Sequence, residues 1–244
     1  QHMTSFSNKG GEVAWGTIGN ASTAEGMFFE TFNAGGVLQV PMVISVWDDD
    51  YGISVTNDLQ VTKASISAAL EGFKRDNEQK GYEILVVKGW DYEGLVNAYS
   101  RANKVAREQH VPVLVHVTEM TQPQGHSTSG SHERYKSKER LQWEAEYDCV
   151  VKFKEYILSN KIASKEELDQ INAEAKQLVK ESKDKAWKAF SATIKKELDE
   201  AVVLLIELAA KCKGNKELTQ MVHELRCTLN PIRMDVISTV RKAL

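Results

Sequence analysis

The sequence has few cysteines, and their spacing does not suit a metal site or a disulfide framework. Cys149, Cys212 and Cys227 lie far apart among 244 residues, and no two of them form a Cys-x-x-Cys pair. Zinc sites and disulfide scaffolds in small domains depend on close or paired cysteines. We therefore expect reduced thiols, as in a cytoplasmic protein.

The sequence also lacks long apolar runs and an excess of basic residues. No stretch approaches the ~18–20 consecutive apolar residues that span a bilayer, and no signal peptide precedes the first strand-like run. Lys and Arg number 31 against 34 Asp and Glu, which gives a net charge of −3. This balance argues against a basic nucleic-acid-binding face. We expect neither a membrane nor a nucleic acid as a partner.

Two alternating periods occupy the first half of the chain. Near-continuous apolar runs rich in β-branched residues, typical of strands buried on both faces, lie at 12–18, 40–47, 82–87 and 111–117. Helical patterns separate them at about 24–37, 61–75 and 91–110. Right-handed crossovers then predict an α/β fold, with a three-layer parallel sheet and helices on both faces.

The second half of the chain has a different pattern. Residues 121–136 contain almost nothing to bury, which predicts a mobile functional loop. From about 138 onward the pattern is helical. We predict a partial α/β domain at 1–137 and a helical extension at 138–244 leading to a linker. Because no element precedes the first strand, the sequence is interpreted as a fragment truncated at its N-terminus.

Two polar loops directly follow predicted strands. Asn20 follows the first strand and Asp49 the second, and the carboxyl ends of parallel strands are where ligands bind. An amide, a carboxylate and the backbone carbonyl of Tyr51 would give Mg²⁺ three oxygen ligands. The segment Ala21–Glu25 opens a predicted helix whose N–H groups favour phosphate. Taken singly, the first loop is better explained as an ordinary strand-to-helix turn with an N-cap, and the second as a solvated acidic segment.

The pair of loops resembles the thiamine-diphosphate motif, most closely that of the alpha subunit of the 2-oxoacid dehydrogenase decarboxylating component. The family runs roughly Gly-Asp-Gly-Ala-Thr-Ser-Glu-Gly, then an apolar strand, then Asn-Asn-Gly-Tyr-Ala-Ile-Ser. The matching residues are Gly19, Ser22, Thr23, Glu25, Gly26, Tyr51, Ile53 and Ser54.

The resemblance implies a thiamine-diphosphate-binding fold and assigns roles to residues. The expected cofactor-binding residues are Gly19, Asn20, Ala21, Ser22, Glu25, Ile53 and His126; the expected Mg²⁺ ligands are Asn20, Asp49 and Tyr51. The family's metal-binding aspartate falls on Asn20 and its asparagine on Asp49, so amide and carboxylate are exchanged. A glycine of the motif is replaced by Ala21, whose Cβ restricts the backbone.

A second matching segment surrounds His126. The family carries Gly-His-Ser-x-Ser followed by Tyr-Arg, and the sequence here has Gly125–Ser129 followed by Tyr135 and Lys136. In the family this histidine lies near the cofactor diphosphate and assists acyl transfer to lipoate. The resemblance therefore makes His126 the expected catalytic residue, as a donor or general acid. Ser127 matches a position that is phosphorylated in some members.

Three carboxylates follow this segment, at Glu144, Glu146 and Asp148. At that spacing they spread over different faces of a helix, which favours a solvated surface over a metal site. The neighbouring Trp143, and Trp187 further along, are expected to be core residues.

The resemblance implies an alpha part of a 2-oxoacid dehydrogenase that uses thiamine diphosphate and Mg²⁺, with branched-chain substrates preferred. Its expected partners are a beta subunit or beta domain and a dihydrolipoyl acyltransferase. The expected assembly has two alpha and two beta subunits or is a fused homodimer, and the isolated chain is expected to be inactive. The alternatives are a pyruvate or acetoin dehydrogenase alpha subunit, and a non-catalytic assembly half with a degenerate cofactor motif.

Overall fold

A computed structural model describes residues 10–127, 129–212 and 215–244. The chain divides into two compact units, with the division after Ser164. The predicted boundary at 137/138 lies earlier, so the first helices of the predicted extension belong to the first unit. Each unit is described by itself.

The first unit is built on a parallel sheet, as predicted. The strands in the described residues are β1 (Ala14–Gly19), β2 (Met42–Trp47), β3 (Tyr51–Gly52), β4 (Val55–Thr56), β5 (Glu83–Lys88) and β6 (Val113–Thr118). The long strands lie in the order β1-β2-β6-β5 and all pair in parallel. The short strands β3 and β4 form an antiparallel hairpin directly after β2.

Helices surround the sheet and continue to the end of the chain. Those of the first unit are α1 (Gly26–Leu38), α2 (Asn57–Gln60), α3 (Ile66–Ala69), α4 (Tyr92–Gln109), α5 (Lys138–Glu146) and α6 (Cys149–Ser159). Those of the second unit are α7 (Lys165–Lys211), α8 (Lys216–Cys227) and α9 (Arg233–Ala243). The prediction that the chain is helical beyond 138 is confirmed.

Both faces of the sheet are covered, because alternate residues of a strand point to opposite faces. Val113, Val115 and Val117 of β6 pack in one apolar cluster with Ala102 and Val105 of α4. The intervening Leu114 belongs to a second cluster that contains residues of α1 and α3. The sheet is therefore the middle of three layers.

The predicted helix at 61–75 is wrong in extent. The four-residue helix α3 and two short 3₁₀ turns occupy this region instead, and α2 ends just before it. Lys63 and Ala64 have φ of 63° and 50°, in the left-handed region that interrupts a right-handed helix. Separate turns nevertheless bury the apolar positions of the pattern, with Ile66 and Leu70 both in the core.

In the second unit, α7 is buried only along its C-terminal part. Its buried residues begin at Ile194, where α8 and α9 pack against it. Trp187 lies before this contact and is 52% exposed, so its prediction as a core residue is wrong. In the described part of the chain, no helix has both the length and the apolar character needed to cross a membrane.

Candidate functional site

A cavity of about 370 Å³ opens at the carboxyl edge of the sheet. It is lined by Gly19, Asn20, Ala21, Trp47, Asp49, Tyr51, Gly52, Ile53, Met120, Thr121, Gln122 and His126. Most of the residues that the sequence predicted for the site are among them. Ser22 and Glu25 are exposed and lie outside this lining. The predicted roles of all these residues in binding stay predictions.

The sheet fixes the position of the loops around the cavity. Gly19 is the last residue of β1 and caps the 3₁₀ turn Asn20–Ala24. The loop after β2 remains tied to β6, since the Asp48 backbone N–H donates to the Val117 carbonyl at 2.8 Å. The Met120 N–H in turn donates to the Asp48 carbonyl at 3.0 Å. The ends of three neighbouring strands therefore hold the cavity walls.

The loops after β1 and β2 also touch each other directly. A Cβ added at Gly52 would lie 3.0 Å from the Ala21 Cβ, which is tighter than ordinary van der Waals contact, and 2.5 Å from the oxygen of the flexible Gln60 side chain, so a small residue suits this close approach. Ala21 lies inside the 3₁₀ turn and does not have a positive φ. An alanine is therefore compatible with the backbone at this position of the motif.

Beneath the cavity lies a buried chain of polar side chains, which we call the amide–carboxylate network: Asn20, Asn57, Asp48 and His116. Asn57 Nδ2 lies 2.8 and 3.0 Å from the two Asp48 carboxylate oxygens. Asn20 Nδ2 lies 2.9 Å from Asn57 Oδ1, and His116 Nε2 lies 2.9 Å from Asp48 Oδ2. All four residues are at most 5% exposed. Sequence reasoning missed all of these residues except Asn20.

His116 also contacts Ser67, with 2.9 Å between Nδ1 and the Ser67 Oγ. Serine, histidine and aspartate are the residue types of a hydrolytic triad. However, His116 is 1% exposed and none of the three lines the cavity. Their arrangement therefore supports the sheet edge and does not present a nucleophile to a substrate.

Asp48 and Asp49 are adjacent in the loop after β2, and their pKa values are shifted in opposite directions. Burial raises the pKa of Asp48, but hydrogen bonds from His116, the Asp50 backbone N–H and Asn57 outweigh it, so the net shift is downward. Burial also raises the pKa of Asp49, and there the hydrogen bond from the Tyr51 N–H and the charge of Lys136 do not compensate. Asp49 is therefore an incompletely neutralised carboxylate at the cavity wall.

The cavity can hold a hard divalent cation only through different kinds of oxygen donor, namely a carboxylate, an amide and a backbone carbonyl. No three His, Cys, Asp or Glu side chains within the described ranges come together as a metal site. The cavity is instead lined by Asp49, Asn20 and Tyr51, which carry a carboxylate, a side-chain amide oxygen and a backbone carbonyl. Such oxygen donors, supplemented by phosphate oxygens, match the coordination that Mg²⁺ prefers. The residues present fit the implied cation.

A second group of polar residues, which we call the ion cluster, contains the buried Lys136 and Glu144, the partly buried Arg140 and the half-exposed Asp50. Lys136 Nζ lies 2.8 and 2.9 Å from the Glu144 oxygens, and Arg140 Nε lies 2.9 Å from one of them. Arg140 also donates to the Asp50 carboxylate at 2.6 Å and to the Asp49 carbonyl at 2.8 Å. This cluster joins α5 to the loop after β2.

The ion cluster corrects the prediction that Glu144 belongs to a solvated surface. Glu144 is 0% exposed and Lys136 is 5% exposed. Of the other two carboxylates in that prediction, Glu146 is exposed, and Asp148 caps α6 by accepting from the Val150 and Val151 N–H groups. Arg140 and Glu144 are four residues apart on one helix, which is the one sequence signal that could have indicated the pair.

The loop at 121–136 brings His126 to the cavity. His126 is exposed and lines the cavity mouth with Gln122. Gly125 has a φ of 63°, and a Cβ there would lie 2.5 Å from the His132 Cβ, so the position before His126 requires glycine. Ser127 is exposed, with its Oγ 2.7 Å from that of Ser129. Thr128 of the predicted motif lies outside the described residues.

Ile53 has an unusual backbone conformation. It sits at the turn between β3 and β4 with a φ of 58° and is 64% exposed. A positive φ is strongly disfavoured for a β-branched residue, and strained residues of this kind cluster at ligand sites. Ile53 nevertheless forms part of the cavity wall.

The parallel sheet and the cavity at its carboxyl edge define an α/β protein with the architecture in which ligands bind at the carboxyl ends of the strands. Residues 3–195 match the family described as "Dehydrogenase E1 component". The match covers most of the chain, and the chain belongs to this family.

Similar curated proteins are alpha subunits of two kinds of dehydrogenase. The chain is 25% identical over 165 residues to the pyruvate dehydrogenase E1 component subunit alpha of Rickettsia bellii, covering 68% of this chain and 48% of the relative. It is 26% identical over 188 residues to the 2-oxoisovalerate dehydrogenase subunit alpha of Bacillus subtilis, covering 77% and 54%. The chain thus spans about half the length of the curated relatives it matches.

Proposed function

We propose that this chain is the alpha part of a 2-oxoacid dehydrogenase decarboxylating component that holds thiamine diphosphate through Mg²⁺. The observation that carries the proposal is the convergence of both motif loops and the histidine loop on one cavity. Asn20, Asp49 and His126 are far apart in sequence yet line the same walls. The family membership supports the same class of enzyme.

The residues have distinct tasks in this proposal. Asp49, the Asn20 side-chain oxygen and the Tyr51 carbonyl would hold the cation, and Gly19 and Ala21 would lie against the diphosphate. The cofactor, when bound, supplies the stabilisation of the carbanion that decarboxylation produces. The chain's own contribution is to orient the diphosphate and to limit its movement.

His126 has the position of a donor at the mouth of the site. It is exposed at the cavity edge, where it could donate a hydrogen bond to the diphosphate or to an incoming acyl acceptor. We propose that a beta subunit or beta domain completes the active site and that a lipoyl-bearing acyltransferase receives the acyl group. Branched-chain 2-oxoacids are the preferred substrates, because the sequence of the His126 loop resembles that branch of the family.

The proposal is tested by the activity of the chain assembled with its beta partner. Decarboxylation of branched-chain 2-oxoacids and pyruvate, and cleavage of acetoin, would be measured with thiamine diphosphate and Mg²⁺ present. We expect turnover of a 2-oxoacid that is lost in Asp49→Ala and retained in the exposed control Glu146→Ala. An assembled protein that turns over none of these compounds would contradict the proposal and favour a non-catalytic assembly half.

A further inference from the structure

The Asp48 carboxylate at the end of the amide–carboxylate network sets the direction of the hydrogen bonds from Asn20 to Asn57 and from Asn57 to Asp48. An ionised carboxylate only accepts hydrogen bonds, whereas a side-chain amide has one donating and one accepting end. Both Asp48 oxygens lie within 3.0 Å of the same Asn57 nitrogen. Asn57 must therefore present its NH₂ group to Asp48, which leaves its Oδ1 on the opposite side as an acceptor.

The same logic passes from Asn57 to Asn20. Since Asn57 Oδ1 can only accept, Asn20 must donate to it through Nδ2, at 2.9 Å. The remaining polar atom of the Asn20 side chain is Oδ1, and no hydrogen bond to it occurs among the described residues. Asn20 lines the cavity, so the atom left over is an oxygen at a site that needs oxygen ligands.

Asp48 itself is saturated by other partners. Besides Asn57, it accepts from the Asp50 backbone N–H at 2.9 Å, and His116 Nε2 lies 2.9 Å from its Oδ2. It is 3% exposed and does not line the cavity. Asp48 therefore supplies the fixed negative end of the network and is not a ligand.

We propose that Asn57, oriented by Asp48, is a positioning residue that presents the side-chain oxygen of Asn20 to a divalent cation in the cavity. This inference rests on the proposed function, because the cation is the one that the cofactor would require. It explains how an asparagine can serve at the position of a metal-binding aspartate: the network prevents the amide from turning its NH₂ group toward the cation.

The test uses the chain assembled with its beta partner and measures Mn²⁺ binding in the presence of thiamine diphosphate, by the loss of the free Mn²⁺ electron paramagnetic resonance signal. Asn57→Leu removes the donor and the acceptor together at nearly constant volume. We expect its Mn²⁺ affinity to fall by roughly tenfold or more, as for other residues that orient metal ligands. Asn97→Leu, on the exposed surface of α4, is the matched control and should bind like wild type.

A second variant keeps the proposal testable if Asn57→Leu folds poorly. In the double variant Asp48→Asn with Asn57→Asp, the amide introduced at position 48 donates to the carboxylate introduced at position 57, which still accepts from Asn20. Net charge and the orientation of Asn20 are both preserved, so the Mn²⁺ affinity of the double variant should stay within about threefold of wild type. A purely structural role of Asn57 does not predict that this exchange selectively retains Mn²⁺ binding.

The outcomes separate the inference from the proposed function. If wild type binds Mn²⁺ and Asn57→Leu binds it equally well, or the exchanged double variant loses binding, the positioning role is wrong and the proposed function stands. If the assembled wild-type protein with thiamine diphosphate binds no Mn²⁺ at all, both are overturned. Weak binding by Asn57→Leu together with retained binding by the double variant supports the inference.

Discussion

The amide–carboxylate network and the ion cluster both contact the loop that follows β2, but they use opposite kinds of interaction. The first joins two neutral amides and a histidine to the single carboxylate of Asp48. The second joins two cations to two carboxylates, through Glu144 and Asp50. Each amide has distinguishable donating and accepting ends, whereas each group of an ion pair only donates or only accepts.

The two groups therefore have different structural roles around the cavity. A chain of amides transmits orientation from one residue to the next, because each donor must meet an acceptor. Buried ion pairs hold backbone segments in place, at the risk of a large penalty when one partner is lost. The ion cluster accordingly ties α5 to the loop through Asp50 and the Asp49 carbonyl, while the network controls which atom of Asn20 faces the cavity.

The largest effect is expected from breaking the ion cluster. Glu144→Ala leaves Lys136 and Arg140 without their shared buried partner, which should lower the free energy of unfolding by about 3–5 kcal/mol. Urea denaturation of the purified chain measures this. The control is Glu146→Ala, two residues further along the same helix but exposed. Equal losses in the two variants would show that the cluster contributes little.

The direction of the network gives the second prediction. Asn20→Asp places an acceptor against Asn57 Oδ1 and should lower the free energy of unfolding by roughly 1–3 kcal/mol. Adding Asp48→Asn allows Asn57 to turn over, so that it donates to the carboxylate introduced at position 20 and accepts from the amide introduced at position 48. The double variant should therefore be more stable than the single Asn20→Asp variant. Additive losses in a double-mutant cycle would contradict the assigned direction.

The third prediction concerns pH, because Asp48 and Asp49 have opposite shifts. The pKa of Asp49 is raised, so its ionisation lowers stability progressively as pH rises from the unfolded value near ~3.9 through the folded pKa. Asp49→Asn should therefore stabilise the metal-free chain at neutral pH, with a gain that shrinks toward pH ~4. The pKa of Asp48 is lowered, so its contribution is present above the unfolded value and is lost as pH falls through the folded pKa.

Asp48→Asn should accordingly destabilise the chain at neutral pH and lose that effect in acid. Thermal unfolding at a series of pH values, with a chelator present, measures both variants. If the two substitutions shift stability in the same direction at neutral pH, the assignment of opposite roles to these neighbours is wrong.

The smallest effect is expected at Ile53, where the turn between β3 and β4 carries backbone strain. Ile53→Gly relieves the backbone strain of a positive φ, which costs ~1–3 kcal/mol. It also increases the conformational entropy of the unfolded chain, so the free energy of unfolding should stay within about 1 kcal/mol of wild type. Val55→Gly, in the adjoining strand at an exposed position, has no such relief and should cost about 1 kcal/mol. A greater loss at Ile53 would show that its side chain matters more than its backbone.

The sheet and the position of the cavity could be predicted from the sequence because both depend on local patterns. The apolar runs indicated the four long strands, and the polar residues at their ends indicated Asn20 and Asp49. Asn57 and His116 were not predictable in the same way, since they meet Asp48 from positions 9 and 68 residues away. A polar His116 inside the buried strand β6 was the only local sign of that contact.

The most direct test of the central claim is a calorimetric titration of the chain, assembled with its beta partner, with thiamine diphosphate. We predict binding that requires Mg²⁺ and is weakened at least about tenfold in both Asn20→Ala and Asp49→Ala, the two residues that would supply side-chain oxygens. Binding of equal strength with and without Mg²⁺, or unaffected by both substitutions, would contradict the claim that this cavity holds the cofactor through a metal.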